Sequence, residues 1–241
     1  MKKRLSIGLL SALFASQLWA APYSAQNVIK RALHEDSSID FSVVEEAVSV
    51  LQKFAGDYPV QFDSEDDRKL ALADNTEIAY IFHVLQDSIS PEDPKNYPLF
   101  LIKARNAWVA HNLDVEGGRE IAAQSYLIAI ALAPEGENAA LNEELGRFLS
   151  SVALMEEGEK YLRTAYETRP QSAFPLALNL IAQKDKPEKL EEGLSLLKTF
   201  VEQNPNHSHA KEVLDAVENN RLEFKIQKPS STPTITPKGS S

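Results

Sequence analysis

The stretch "LMEEGEKYLRTAYETRPQSA", Leu154 to Ala173, holds Gly158, Leu162, Ala165 and Pro170 at successive steps of four, three and five residues. Steps of four and three mark one face of an α-helix, and a proline five residues on ends it. The same steps recur at Ala47, Leu51, Phe54 and Pro59, at Ala122, Tyr126, Ala129 and Pro134, and at Gly193, Leu197, Phe200 and Pro205. Each set reads as the second helix of a helical hairpin closed by its proline.

The first helix of a hairpin shows in "LNEELGRFLSS", where Leu145-Gly146 and Leu149 precede Gly158. One unit earlier, Val109-Ala110 and Leu113 precede Ala122, and Ala110 to Ala122 spans the same twelve residues as Gly146 to Gly158. Small residues at these facing places let the two helices of a hairpin approach closely. At Gly158 that approach outweighs the helix penalty of glycine, roughly 1 kcal/mol.

These residues resemble the tetratricopeptide repeat, a unit of about 34 residues with the pattern Leu-Gly-x-x-Tyr, Ala-x-x-x-Phe, Ala and Pro. The closing prolines Pro134, Pro170 and Pro205 lie 36 and 35 residues apart, and the 75 residues between Pro59 and Pro134 leave room for one further, degenerate unit. Its helices are expected near Asp63 to Ala73 and Thr76 to Gln86. The resemblance spans roughly residues 27 to 222 and is specific over 103 to 136 and 139 to 172. It departs from the pattern in lacking the Trp at the fourth position, and Leu-Gly in the unit ending at Pro205.

The resemblance implies an all-α fold, a right-handed α-solenoid of helical hairpins with a C-terminal capping helix in "HSHAKEVLDAVENNRLEF". Ala210, Val213, Leu214 and Val217 mark that helix's apolar face. It also implies a concave groove lined by first helices, carried onto Ala104, Ala107, His111 and Asp114, then Ala140, Glu143, Arg147 and Ser150. The occupant of such a groove is a protein or peptide. The Lys, Asn and Arg set by which some of these repeats clamp a C-terminal carboxylate is not at these places.

Around the repeats, "MKKRLSIGLLSALFASQLWAA" begins with three basic residues and an apolar run too short, by about five residues, to span a bilayer. Residues 1–20 therefore read as an export signal cut before Ala21, and the expected location is a bacterial periplasm. Residues 21–90 form a divergent helical part, 91–98 a proline-rich loop, 99–224 the regular repeats with the capping helix, and 225–241 a Pro/Ser/Thr tail with little to bury. Without its first 20 residues the chain carries 22 Lys and Arg against 35 Asp and Glu, a net charge of −13. That balance argues against nucleic acid and anionic membranes as partners. The chain has no Cys, so no disulfide staples the fold.

No GxSxG, GxxxxGK[ST], HExxH or Gly-rich dinucleotide turn occurs, and no thiol is available as a nucleophile. His207 and His209 lack further metal ligands nearby, and Asp63 with Glu65, Asp66 and Asp67 reads as a helix N-cap and acidic first turn. The sequence thus predicts a non-catalytic scaffold or adaptor, without cofactor or metal, that binds another cell-envelope protein in its groove during assembly of an envelope complex. The alternative is a hydrolase-like or ligand-binding module in residues 21–90, marked by a cleft gathering His34, Glu35, Asp36 or His83. Self-association through the open ends of the array is a further expectation.

Overall fold

The computed structural model describes residues 22–219 and 221–225, with the backbone of Leu5–Gly8 and Ser11–Ala12. Most of the expected export signal and the tail from residue 226 lie outside the described residues. The fold is all-helical in its body, with ten α-helices among the described residues: α1 (Val28–Ala32), α2 (Phe41–Ala55), α3 (Glu65–Val84), α4 (Tyr97–Asn112), α5 (Gly118–Leu132), α6 (Asn138–Ser151), α7 (Met155–Thr168), α8 (Ala173–Ala182), α9 (Pro187–Gln203) and α10 (Ser208–Glu218). At its margin, the backbone of Leu222–Lys225 pairs in parallel with Leu5–Gly8, which pairs antiparallel with Ser11–Ala12.

Helices α4 with α5, α6 with α7, and α8 with α9 form three hairpins, and each hairpin packs on the next through α5 with α6 and α7 with α8. Pro134, Pro170 and Pro205 each stand two residues past the end of the second helix, where the repeat steps placed a stop. The contact inferred at Gly158 is present: a Cβ there would lie 2.8 Å from Gly146 O, and one at Gly146 would lie 2.9 Å from Gly158 O. Gly118 and Gly193 do the same for the other hairpins, against His111 N at 2.6 Å and Ala177 O at 3.0 Å.

The N-terminal part departs from two paired hairpins. The expected break between Asp63–Ala73 and Thr76–Gln86 does not exist, because α3 runs unbroken over 20 residues. No Gly or Pro interrupts it, and the polar pair at its centre turns inward to fixed partners. Asp74 accepts from Tyr23 Oη at 2.8 Å, Gln26 N at 2.7 Å and Asn27 N at 3.0 Å, pinning the segment before α1. The cap of α3 is also one residue later than expected: Ser64, not Asp63, accepts from Asp67 N at 3.1 Å, with Glu65, Asp66 and Asp67 in the first turn. The proline-rich loop ends early, since Tyr97 starts α4 and Pro98 sits in its first turn, where a missing N–H costs nothing.

One cluster of apolar side chains, from Tyr23 to Leu113, fills the N-terminal part and joins it to α4. A second, around Trp108, Tyr126 and Phe148, joins α4, α5 and α6. A third, around Leu197, Phe200 and Val213, seats α10 on α8 and α9, with Leu162, Leu176 and Leu180 bridging α7 to α8. Polar clasps reinforce the junctions. Arg105 of α4 holds Glu144 of α6 through two hydrogen bonds of 3.0 and 2.6 Å, and Tyr126 of α5 donates to the same carboxylate at 3.2 Å.

Candidate functional site

A concavity of about 350 Å³ opens between α3, α4 and the start of α5. Phe82, Asn75, Asn106, Ala107 and Ala110 are buried and form its floor. Ala79, His83 and Gln86 from α3 and its C-terminal turn, and Val115, Glu116 and Ile121 from the other side, form an exposed rim. A smaller hollow of about 190 Å³ continues from it past Ile89, Pro91 and Leu99, and the two share Phe82, Gln86 and Lys103. The result is one elongated groove along α3.

Local sequence explains the opening. On α3, Asn75, Ala79, Phe82 and, just past the helix, Gln86 repeat at steps of four, three and four, one face of the helix. Asn75 Nδ2 donates to Asn106 O at 2.9 Å and to Asn106 Oδ1 at 2.8 Å, and Asn106 Nδ2 donates to Asn75 O at 3.2 Å. This reciprocal amide pair ties α3 to α4 at the floor, where both side chains are satisfied despite burial. Short side chains at Ala79, Ala107 and Ala110 then leave the space above it unfilled.

Lys103 stands in the wall shared by both hollows, half-buried. Burial alone lowers its ammonium below the usual lysine range, and among the described residues it has no hydrogen-bond or ion-pair partner. Glu116 lies toward the opposite end of the groove, beyond the C-terminus of α4.

Of the positions carried over by resemblance, Ala107 lines this groove. His111 is half-buried at the end of α4 with its ring edge-on to Phe148 at 6.3 Å; burial, then the nearby Arg119, lowers its pKa. Asp114 lies in the α4–α5 turn with φ +66° and accepts from Arg68 Nη2 at 2.9 Å. Ala104 is fully buried, and Ala140 is half-buried at the start of α6. Ser150 is 1% exposed; its hydroxyl donates to Gly146 O and accepts from Asn179 Nδ2, so it belongs to the α6–α8 junction and not to a surface. Glu143 accepts from Arg169 Nε at 3.0 Å and Ser172 Oγ at 2.6 Å, a tie between α6 and the segment that joins α7 to α8. Arg147 is half-buried, with its Nε unpartnered.

The residues of the alternative cleft are also placed. His34, Glu35 and Asp36 are exposed in the turn after α1, where Asp36 accepts from Ser38 N and Oγ, while His83 stands exposed on α3 at the groove rim. His207 and His209 pack against the Phe174 ring at 5.1 and 5.3 Å, and His207 Nδ1 accepts from Ala210 N at 3.1 Å to cap α10. Among the described residues no group of three or more His, Cys, Asp or Glu side chains is arranged to hold a metal ion, and no helix is long and apolar enough to cross a membrane. No family model, curated protein or solved structure matches the chain.

Proposed function

We propose that the protein is an exported, tetratricopeptide-like α-solenoid adaptor, capped by α10, that works in the bacterial periplasm without catalysis of its own. Its task is to hold a segment of another cell-envelope protein during assembly of an envelope complex. The observation that carries this reading is the groove along α3. Its floor is packed and hydrogen-bonded, its rim carries exposed apolar residues such as Val115 and Ile121, and its volume falls in the range of sites built for ligands. The chemistry around it suits binding: a pre-formed wall of two helices loses little freedom when a partner arrives, so more of the contact energy appears as affinity.

The test places a photo-crosslinking amino acid at Ala79, in the groove, and at Thr164, exposed on α7, in the producing cell. The expected result is one discrete envelope-protein adduct from Ala79 and none of that mass from Thr164. Identical adducts from both positions, or none from either, would overturn the adaptor reading. Cell fractionation with the same strain checks export, which predicts a product lacking residues 1–20 outside the cytoplasm.

A further inference from the structure

We infer that the occupant of the α3 groove is an amphipathic helix of about three turns whose buried face carries an acidic residue opposite Lys103. This rests on the adaptor reading and names the chemistry of the partner.

Three observations lead there. The first is length. From Asn75 to Val84, α3 rises about 14 Å at 1.5 Å per residue, and Gln86 and Ile89 extend the wall beyond it. An occupant of matching length is a helix of about three turns, and the groove is already bounded by the faces of two helices, the geometry into which a third helix packs. The second is the lining. Apolar Phe82, Leu99 and Ile121 share the lining of the groove with the Asn75–Asn106 amide pair and Gln86. A side-chain pattern of apolar anchors with polar residues between them matches that lining, whereas a plain acyl chain would cover the exposed Gln86 amide without satisfying it.

The third is charge. Among the described residues Lys103 is a cation of the groove without a partner, in a protein of net charge −10. Its ammonium is partly removed from water, no carboxylate of the described residues pairs with it, and no Asp or Glu stands three or four residues away on α4. A carboxylate arriving with the occupant meets a cation already desolvated, where the pair is stronger than at an open surface. Glu116 toward the other end sets the direction, facing a basic residue of the same helix. The end segments of this chain do not fit: residues 1–21 carry Lys and Arg and residues 226–241 carry Lys, and neither has an Asp or Glu.

The test uses the purified full chain from Ala21 and two fluorescein-labelled, Leu/Ala-based helical peptides of 15 residues. They differ only in Glu or Lys at the central boundary position. Fluorescence anisotropy is read with the natural chain, with Lys103→Glu, and with Ala79→Trp, which fills the groove from an exposed position; circular dichroism checks that each variant is folded. The Glu peptide is expected to bind the natural chain at least tenfold more tightly than the Lys peptide. Lys103→Glu should reverse that order, and Ala79→Trp should abolish binding of both.

Binding that Ala79→Trp abolishes but that ignores the charge at 103 overturns the acidic-helix occupant and leaves the groove reading standing. Binding unaffected by either substitution, or absent for both peptides, overturns the inference, and the crosslinking result then decides the adaptor reading by itself. Displacement of the Glu peptide by a peptide of residues 226–241, by hexadecanoate, or by self-association seen in light scattering would likewise overturn the inference and name the other occupant.

Discussion

At the scale of single residues the hairpins are set by what is missing from Gly146 and Gly158. A methyl group at position 158 would stand 2.5 Å from Ser150 Oγ and 2.8 Å from Gly146 O, inside two groups that cannot both move. Ser150 is held by Asn179, and Gly146 O belongs to a helix backbone. Gly158→Ala gains about 1 kcal/mol in helix propensity and loses about 2–3 kcal/mol to overpacking, at the upper end of the usual range because two contacts fall under 3 Å, so net destabilisation of about 1–2 kcal/mol is expected. Urea unfolding of the variant checks this, and an unchanged or raised midpoint would mean that the hairpin opens without cost. That contact was legible from sequence because it repeats at fixed spacing. The groove was not, because positions carried over from a repeat pattern say which residues lie on first helices but not what the next unit lays over them. Ser150 sits under Asn179 of the next hairpin for that reason, and Glu143 is taken up by Arg169 and Ser172 in the segment that leads into it. One signal for the groove was present and missed: Lys103 in "PLFLIKARNAW" has only Leu99, Phe100, Asn106 and Ala107 at helix-neighbour spacing, so no carboxylate on its own helix answers it.

At the scale of elements, α3 shows how tertiary contacts override a plausible break. Asp74, Asn75 and Thr76 are poor helix formers, and their run suggested a turn. Burial gives each of the first two fixed partners, so the helix continues and the polar run becomes its joint to α1 and α4. Asp74→Ala would leave the Tyr23 hydroxyl and the Gln26 and Asn27 amides without an acceptor. A loss of about 2–4 kcal/mol is expected from hydrogen bonds to a charged group, with residues 22–32 becoming the first site of limited proteolysis. Cleavage elsewhere first would show that the segment is held by apolar packing alone. A second joint, between α7, α8 and α9, gives a pH dependence. Burial by itself would raise the Glu159 carboxyl, but hydrogen bonds from Lys189, Gln183 and Arg163 outweigh it and lower the pKa to about 2. A carboxylate with a depressed folded pKa stabilises the fold above its unfolded pKa of about 4.3, and that contribution is lost as pH falls from there through about 2. Stability measured between pH 5 and 2 should therefore fall less steeply in Glu159→Gln than in the natural chain. At neutral pH the same substitution should cost about 2 kcal/mol, less than a fully buried pair, because Arg163 keeps Glu192 and Lys189 is a quarter exposed.

At the scale of the whole molecule, contacts from α4 onward run mainly between neighbours in sequence, each hairpin packing on the next, whereas in the N-terminal part α2 reaches past α3 to α4 and α1 packs on α3; apolar clusters succeed one another from Tyr23 to Val217. In the proposed solenoid, stability is set by each unit and its nearest interfaces, not by one shared core. Helix α10 closes the far end. Ala210, Val213 and Ala216 are fully buried, and Leu214 and Val217 are partly so, against the cluster that contains Leu197 and Phe200. Ending the chain at Asn206 removes that cover, on the order of 3–5 kcal/mol of apolar burial, and exposes the face of α8 and α9 beneath it. Because the loss is local, hydrogen exchange should quicken strongly in Ala173–Ala182 and Pro187–Gln203, while Tyr97–Asn112 and Gly118–Leu132 keep their protection. The exposed face should also promote association, seen in light scattering as a larger particle than the full chain gives. Uniform loss of protection from α2 to α9 would contradict nearest-neighbour coupling and with it the solenoid reading. The α6–α7 hairpin stands between the α3 groove and the disturbed α8 and α9, so the truncated chain should still bind the acidic helical peptide with unchanged affinity, separating the proposed binding part from the part that α10 covers.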